Sequence, residues 1–166
     1  NNSGGAEIGP AIKCIDLLDL KGVDVLMDAG IAKSKVIQKI HEKGGRYLSP
    51  IKRNNRNCLK KIEEEFTNYK GRMSKSIEQK RGREDRRVVR VLSSRRMDEK
   101  FQNKWPDVET LIEIVRERTV KDNSFIVKVA NDKGESINQV NSNMGKLKTT
   151  VTTTYYVTSK KVDAKE

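Results

Sequence analysis

The sequence predicts an α/β fold: a strand–helix–strand unit near the amino end, followed by a basic, β-rich region. Three observations carry this. Residues 23–52 read as strand, loop, helix and strand. Residues 72–90 hold eight lysines and arginines against three acids, Glu78, Glu84 and Asp85. Residues 147–159 are rich in Thr, Val and Tyr, the residues that favour a pleated, half-buried surface.

Taken in order, residues 1–5 are polar and Gly-rich and predict a frayed start. Pro10 suits the first turn of a helix whose apolar face is Ala11, Ile12, Ile15 and Leu18, with Leu17 beside it. Val23, Val25, Leu26 and Met27 form a short apolar run suited to a buried strand. Asp28 stands where that run ends. Ala32, Val36, Ile37 and Ile40 have helical spacing over 32–43, and Gly44-Gly45 stops that helix. Tyr47, Leu48 and Ile51 predict a second strand, which Pro50 places at an edge or ends early. Such a unit is a right-handed βαβ crossover, and ligands of open α/β sheets gather at the carboxyl ends of the strands. Asp28 is therefore a candidate metal ligand; a turn former or helix cap is the plainer alternative.

Leu59, Ile62, Phe66 and Tyr69 mark one face of a helix over 53–70, with Lys60, Lys61 and Glu63 to Glu65 on its solvated side. The first half of 71–90 lacks periodicity and predicts a loop; Val88, Val89 and Val91 predict a strand from Arg86 onward. Phe101 and Trp105 share a helical face, and Trp105 reads as a packing anchor. Strands are predicted over 110–119, 124–130 and 147–159, a loop over 131–146 and a charged tail over 160–166.

Composition narrows the function classes. Over 166 residues the net charge is +12, with 35% charged and 34% hydrophobic residues, so the core is thin and the surface suits a polyanion. Nucleic acid is the usual one; a merely solvated basic surface is the alternative. Arginine forks match phosphate geometry, which makes the 72–90 cluster the candidate contact region. Cys14 and Cys58 make neither a disulfide framework nor a zinc site and read as buried free thiols in a reducing cytosol. No apolar run reaches the length of a membrane span, and no secretory h-region is seen, so a cytoplasmic, nucleoid-associated location is expected.

Several ordered words carry a family resemblance. AEIGPAIKCIDLLDLKG, VLMDAG and KIHEKGGRYLSPIKRNN occupy residues 6–55; RGREDRRVVRV, KWPDVETLIEIVRERT and TYYVTS follow. In wording and order the chain resembles the DDE transposases of bacterial insertion sequences, in particular the H-repeat-associated group. The resemblance implies a partial ribonuclease H-like core over 1–70, a basic β-rich insertion region over 71–159 and a tail over 160–166. It implies Mg2+ (or Mn2+) chemistry on phosphodiesters in the complete enzyme, with transposon-end DNA as partner and a homo-oligomer as assembly. Asp28 matches the acidic residue of the family's "DAMG" word, which the resemblance implies is a catalytic, metal-binding carboxylate. Asp85 falls on the glutamate of "HGRIE", and the histidine becomes Arg81. Lys52 and Arg83 carry over as phosphate contacts, and Arg81, Arg86 and Arg87 join them as candidate DNA-binding residues. The family's first carboxylate is expected upstream of Asn1 and its last in a downstream "HW…EN" helix. With one of three ligands, the chain alone is expected to be inactive, and the alternative function is a non-catalytic DNA-binding module.

Overall fold

The structure, a computed structural model, describes residues 7–69, 71, 73–121 and 145–164, and the backbone alone of 126–130 and 136–140. Residues 1–6, Arg72 and parts of the predicted 124–130 strand, 131–146 loop and terminal tail lie outside the described residues. The chain forms two compact units. One comprises Asn1–Ser74, Val88–Ile114 and Thr153–Glu166; the other comprises Lys75–Arg87 and Val115–Thr152.

The first unit is built on the βαβ crossover. Strand β1 (Asp24–Leu26) runs parallel to β2 (Arg46–Ile51), with Asp24 opposite Arg46 and Leu26 opposite Leu48. Helix α2 (Ser34–Glu42) joins them and buries Val36, Ile37 and Ile40, the face its spacing predicts. Gly44 has φ +70 and turns the chain out of the helix. Gly45 then passes so close to Ile40 and Leu20 that a Cβ would lie 3.0 and 3.1 Å from their side chains.

Pro50 lies inside β2, between β1 and β8 (Leu147–Thr158), rather than at the sheet edge. It faces Tyr156 in the antiparallel register with β8. Leu48 O accepts from Met27 N, so the alternation of strand polarity turns the nitrogen of Pro50 toward the β1 side, beyond the last β1 partner. The missing donor therefore falls where no neighbouring strand needs it.

Helix α1 (Ile8–Leu17) corrects the predicted face. Ile15 is buried and Ile8 and Ile12 pack against the core, but Leu17 is 87% and Leu18 53% exposed. The helix stops at Leu17, and Leu20 takes the core position beyond it. Cys14 is exposed, against the expectation of a buried thiol, because it stands next to Ile15 on the helix and off the buried stripe; Cys58 is buried.

A 3-10 turn at Arg53–Asn55 leads into α3 (Arg56–Thr67), which buries Cys58, Ile62 and Phe66. Helix α4 (Glu99–Lys104) is capped by the Asp98 carboxylate, which accepts from Phe101 N at 2.9 Å. Phe101 and Trp105 are buried, as their spacing predicts.

Strands β3 (Met73–Lys80), β4 (Arg83–Ser93) and β5 (Thr110–Lys121) complete a sheet ordered β1-β2-β8-β5-β4-β3. β3 replaces the loop predicted for the first half of 71–90. It is an edge strand exposed along almost its whole length, so no apolar alternation announces it. Arg81 (φ 50) and Gly82 (φ 72) join it to β4 as a two-residue turn with both φ values positive, the geometry that matches strand twist. The predicted loop at 131–146 also contains a strand. β6 (Ile126–Ala130) and β7 (Ser136–Val140) pair antiparallel, with Ile126 opposite Val140. Asn, Ser and Gln in and around β7 mask a strand that its pairing defines.

Candidate functional site

Two places hold the residues singled out by the sequence. The first lies at the carboxyl ends of β1 and β2. Parallel pairing brings those ends side by side, so Asp28, just past β1, meets Lys52, the residue after β2. Lys52 Nζ stands 2.9 Å from Asp28 Oδ1. The loop is held by its own backbone: Ile31 N and Ala32 N both donate to Asp28 O at 3.1 Å. Asn54 Nδ2 donates to Ala29 O at 2.7 Å, and Ala29 and Ala32 are buried beneath. The carboxylate itself points to solvent, with its side chain 66% exposed.

Lys52 first, and the backbone amides of Ala29 and Gly30 after it, hold the Asp28 carboxyl below the usual aspartate range. A depressed carboxylate stabilises the fold above its unfolded pKa, and that contribution is lost as pH falls through the folded pKa. Lys52→Ala is expected to move the Asp28 midpoint back up toward the ordinary value, read by carboxyl NMR titration. An unchanged midpoint would assign the depression to the two amides instead.

The second place lies in the unit made of Lys75–Arg87 and Val115–Thr152. Strand alternation puts Arg83, Asp85 and Arg87 on one face of β4, and Glu84 and Arg86 on the other. Asp85 is 1% exposed. Arg116 Nη2 lies 3.0 Å and Arg118 Nε 2.9 Å from its Oδ1. Arg83 Nε lies 2.8 Å from Oδ2 but is not aligned as a hydrogen bond. Among the described residues, the ion-pair partners of Asp85 are thus these three arginines. The hydrogen bond from Arg118 holds its carboxyl down against desolvation, helped by the charges of Arg118, Arg83 and Arg87. On the same face Arg87 Nη1 lies 3.3 Å from Glu78 Oε2.

On the opposite face Arg86 Nε meets Glu84 Oε1 at 2.6 Å, and Gln79 Nε2 donates to Glu84 Oε2 at 2.8 Å. These two contacts lower the Glu84 pKa. A shallow open hollow there is lined by Gln79, Glu84, Arg86, Glu117, Thr119 and Thr149. Arg81, at the turn, makes no ion pair among the described residues.

Sequence reasoning missed Arg116 and Arg118. Their spacing of two within a predicted strand is the available signal, since it puts both on one face; that they turn to Asp85 depends on strand order.

The family profile described as "Transposase DDE domain" matches residues 5–166, nearly the whole chain. The chain belongs to this family. Searches of curated proteins and of solved structures give no match. The six-stranded sheet and its helices are consistent with the ribonuclease H-like fold of a DDE transposase. Transposases of this kind use divalent metal and act on DNA. The described residues of this transposase domain do not by themselves fit a two-metal centre. Asp28 is a single carboxylate paired with an ammonium group, and no group of three or more His, Cys, Asp or Glu among the described residues is placed to hold an ion. No helix among them is long and apolar enough to cross a membrane.

Proposed function

We propose that this chain is part of an insertion-sequence transposase of the H-repeat-associated group. In this reading Asp28 contributes one metal-binding carboxylate to the complete enzyme, and Lys52, Arg81, Arg83, Arg86 and Arg87 belong to its DNA-contacting surface. The observation that carries it is the placement of Asp28. In a transposase DDE domain, an exposed carboxylate at the carboxyl end of a parallel strand stands where open α/β sheets gather their ligands. Transposon-end DNA is the partner, Mg2+ or Mn2+ the cofactor and a homo-oligomer the working assembly of the complete enzyme, which would act in the cytoplasm at the nucleoid.

One carboxylate does not organise a two-metal centre. The 166 residues alone are therefore expected to bind duplex DNA and not to cut or join it. Fluorescence anisotropy across a salt series, with a cleavage assay in Mg2+ and Mn2+, tests both halves. Affinity should fall steeply with salt, as phosphate contacts require. Cleavage that disappears in Asp28→Asn would overturn the expected inactivity, and absence of DNA binding at low salt would overturn the DNA reading.

The surplus of arginines favours a second reading, a basic DNA-binding module without catalysis. Paramagnetic broadening of the Asp28 and Gly30 amides by Mn2+ would support the catalytic reading; its absence would favour the module.

A further inference from the structure

The role of Asp85 is open in the reading above, and its surroundings give it one. This carboxylate is 1% exposed, and its ion-pair partners among the described residues are arginines. Arg83, Arg116 and Arg118 lie over it, and their own side chains stay 37%, 35% and 37% exposed. Each guanidinium carries five donors in a rigid fork, and a carboxylate has about four lone-pair sites to offer in return. Among the described residues, most donors of the three arginines are thus left for another acceptor. The charge balance points the same way. Among the described residues, Arg83, Arg87, Arg116 and Arg118 share this face with two carboxylates, Asp85 and Glu78, so the cations outnumber the acids there. Strand backbones fix the spacing of all these groups, so little ordering is required when an anion arrives.

We infer that Asp85 is a positioning residue: it holds Arg83, Arg116 and Arg118 as a preformed platform for the phosphate backbone of DNA. The inference rests on the DNA-binding reading above and adds Asp85, Arg116 and Arg118 to it. Arginine is suited to this because its fork binds phosphate bidentately, whereas lysine offers a point charge.

The test turns on a sign. Asp85→Asn removes a negative charge from a DNA-binding face. If Asp85 acted through charge alone, the variant would bind more tightly. If it positions the arginines, the variant binds more weakly, on the order of tenfold, although its net charge is more positive. The measurement is anisotropy with a random-sequence duplex across a salt series, well below the melting midpoint, with circular dichroism to check folding. Arg116→Lys with Arg118→Lys keeps every charge and loses the forks, and it too should weaken binding on the order of tenfold. Arg116→Gln with Arg118→Gln should lower the slope of log affinity against log salt by about 1.8, the loss of two phosphate contacts. Lys60→Gln, on the solvated face of α3, should leave affinity within about threefold.

Unchanged or tighter binding by Asp85→Asn overturns the inference, as does a larger loss from Lys60→Gln than from the paired glutamine variant. Should Asp85→Asn fail to fold, the paired lysine variant decides: unchanged affinity overturns the platform, and weakened affinity supports it. If the unaltered chain shows no salt-dependent binding, the DNA reading itself falls. If it binds and the platform variants match it, the DNA reading stands and the platform falls.

Discussion

Arg90→Ala is expected to destabilise the chain by about 3–5 kcal/mol, because it strands a buried carboxylate. Glu113 is 3% exposed, and its Oε2 accepts from Arg90 Nε. Arg90 also reaches the end of α3, where its Nη1 donates to Phe66 O at 3.2 Å, and its guanidinium sits 5.6 Å from the centre of the Phe66 ring. One side chain thus neutralises a buried acid, meets a carbonyl in the last turn of a helix and covers an aromatic face. Tyr155 adjoins the same pair: burial first, and the Glu113 charge after it, push its hydroxyl up to about 12. The tyrosine cannot supply the missing cation. Urea unfolding measures the effect, as a lower midpoint at unchanged slope. A loss below about 1 kcal/mol would show that water reaches Glu113 once the arginine is gone.

Trp105→Ala is expected to cost about 3–5 kcal/mol by opening a cavity. For a chain of this length that lowers the melting midpoint by roughly 2–4 °C per kcal/mol. Trp105 follows α4 directly and is 1% exposed; its ring centre lies 6.3 Å from that of Tyr47. Tyr47 is fixed in turn by donating its hydroxyl to Pro106 O at 3.0 Å. The indole Nε1 is buried without a hydrogen-bond partner among the described residues, so the ring is held by its bulk and contacts. Trp105→Phe should therefore cost clearly less than Trp105→Ala, since it removes the unpaired donor and keeps most of the volume. Equal losses in differential scanning calorimetry would mean that the nitrogen matters after all.

The parts of the fold that were legible in the sequence are those that bury one face. Ile37, Ile40, Ile62 and Phe66 recur at helical spacing because each helix covers the same core, and the strand–helix–strand order followed from that. β3 was not legible because exposure on both faces leaves no alternation to read. β7 was not legible because a hairpin pairing, and no burial pattern, marks it. The candidate sites were legible residue by residue but not as constellations. Asp28 and Lys52 were named separately, and the parallel crossover is what joins them. Asp85 was named for its family motif, while its arginine cover comes from a strand some thirty residues further on.

The chain passes between its two compact units at 74/75, 87/88, 114/115 and 152/153. Three of those passages fall inside β4, β5 and β8 themselves, and the fourth inside β3. No single cleavage can release either unit as a continuous polypeptide, and a protease that nicks the chain once between residues 75 and 152 leaves parts of both units on each side of the nick. For the genetics of such a protein, one recombination breakpoint cannot exchange the arginine-bearing unit for another. Swapping it requires several joins made in register within strands, so it is expected to be inherited together with the βαβ unit rather than traded as a module.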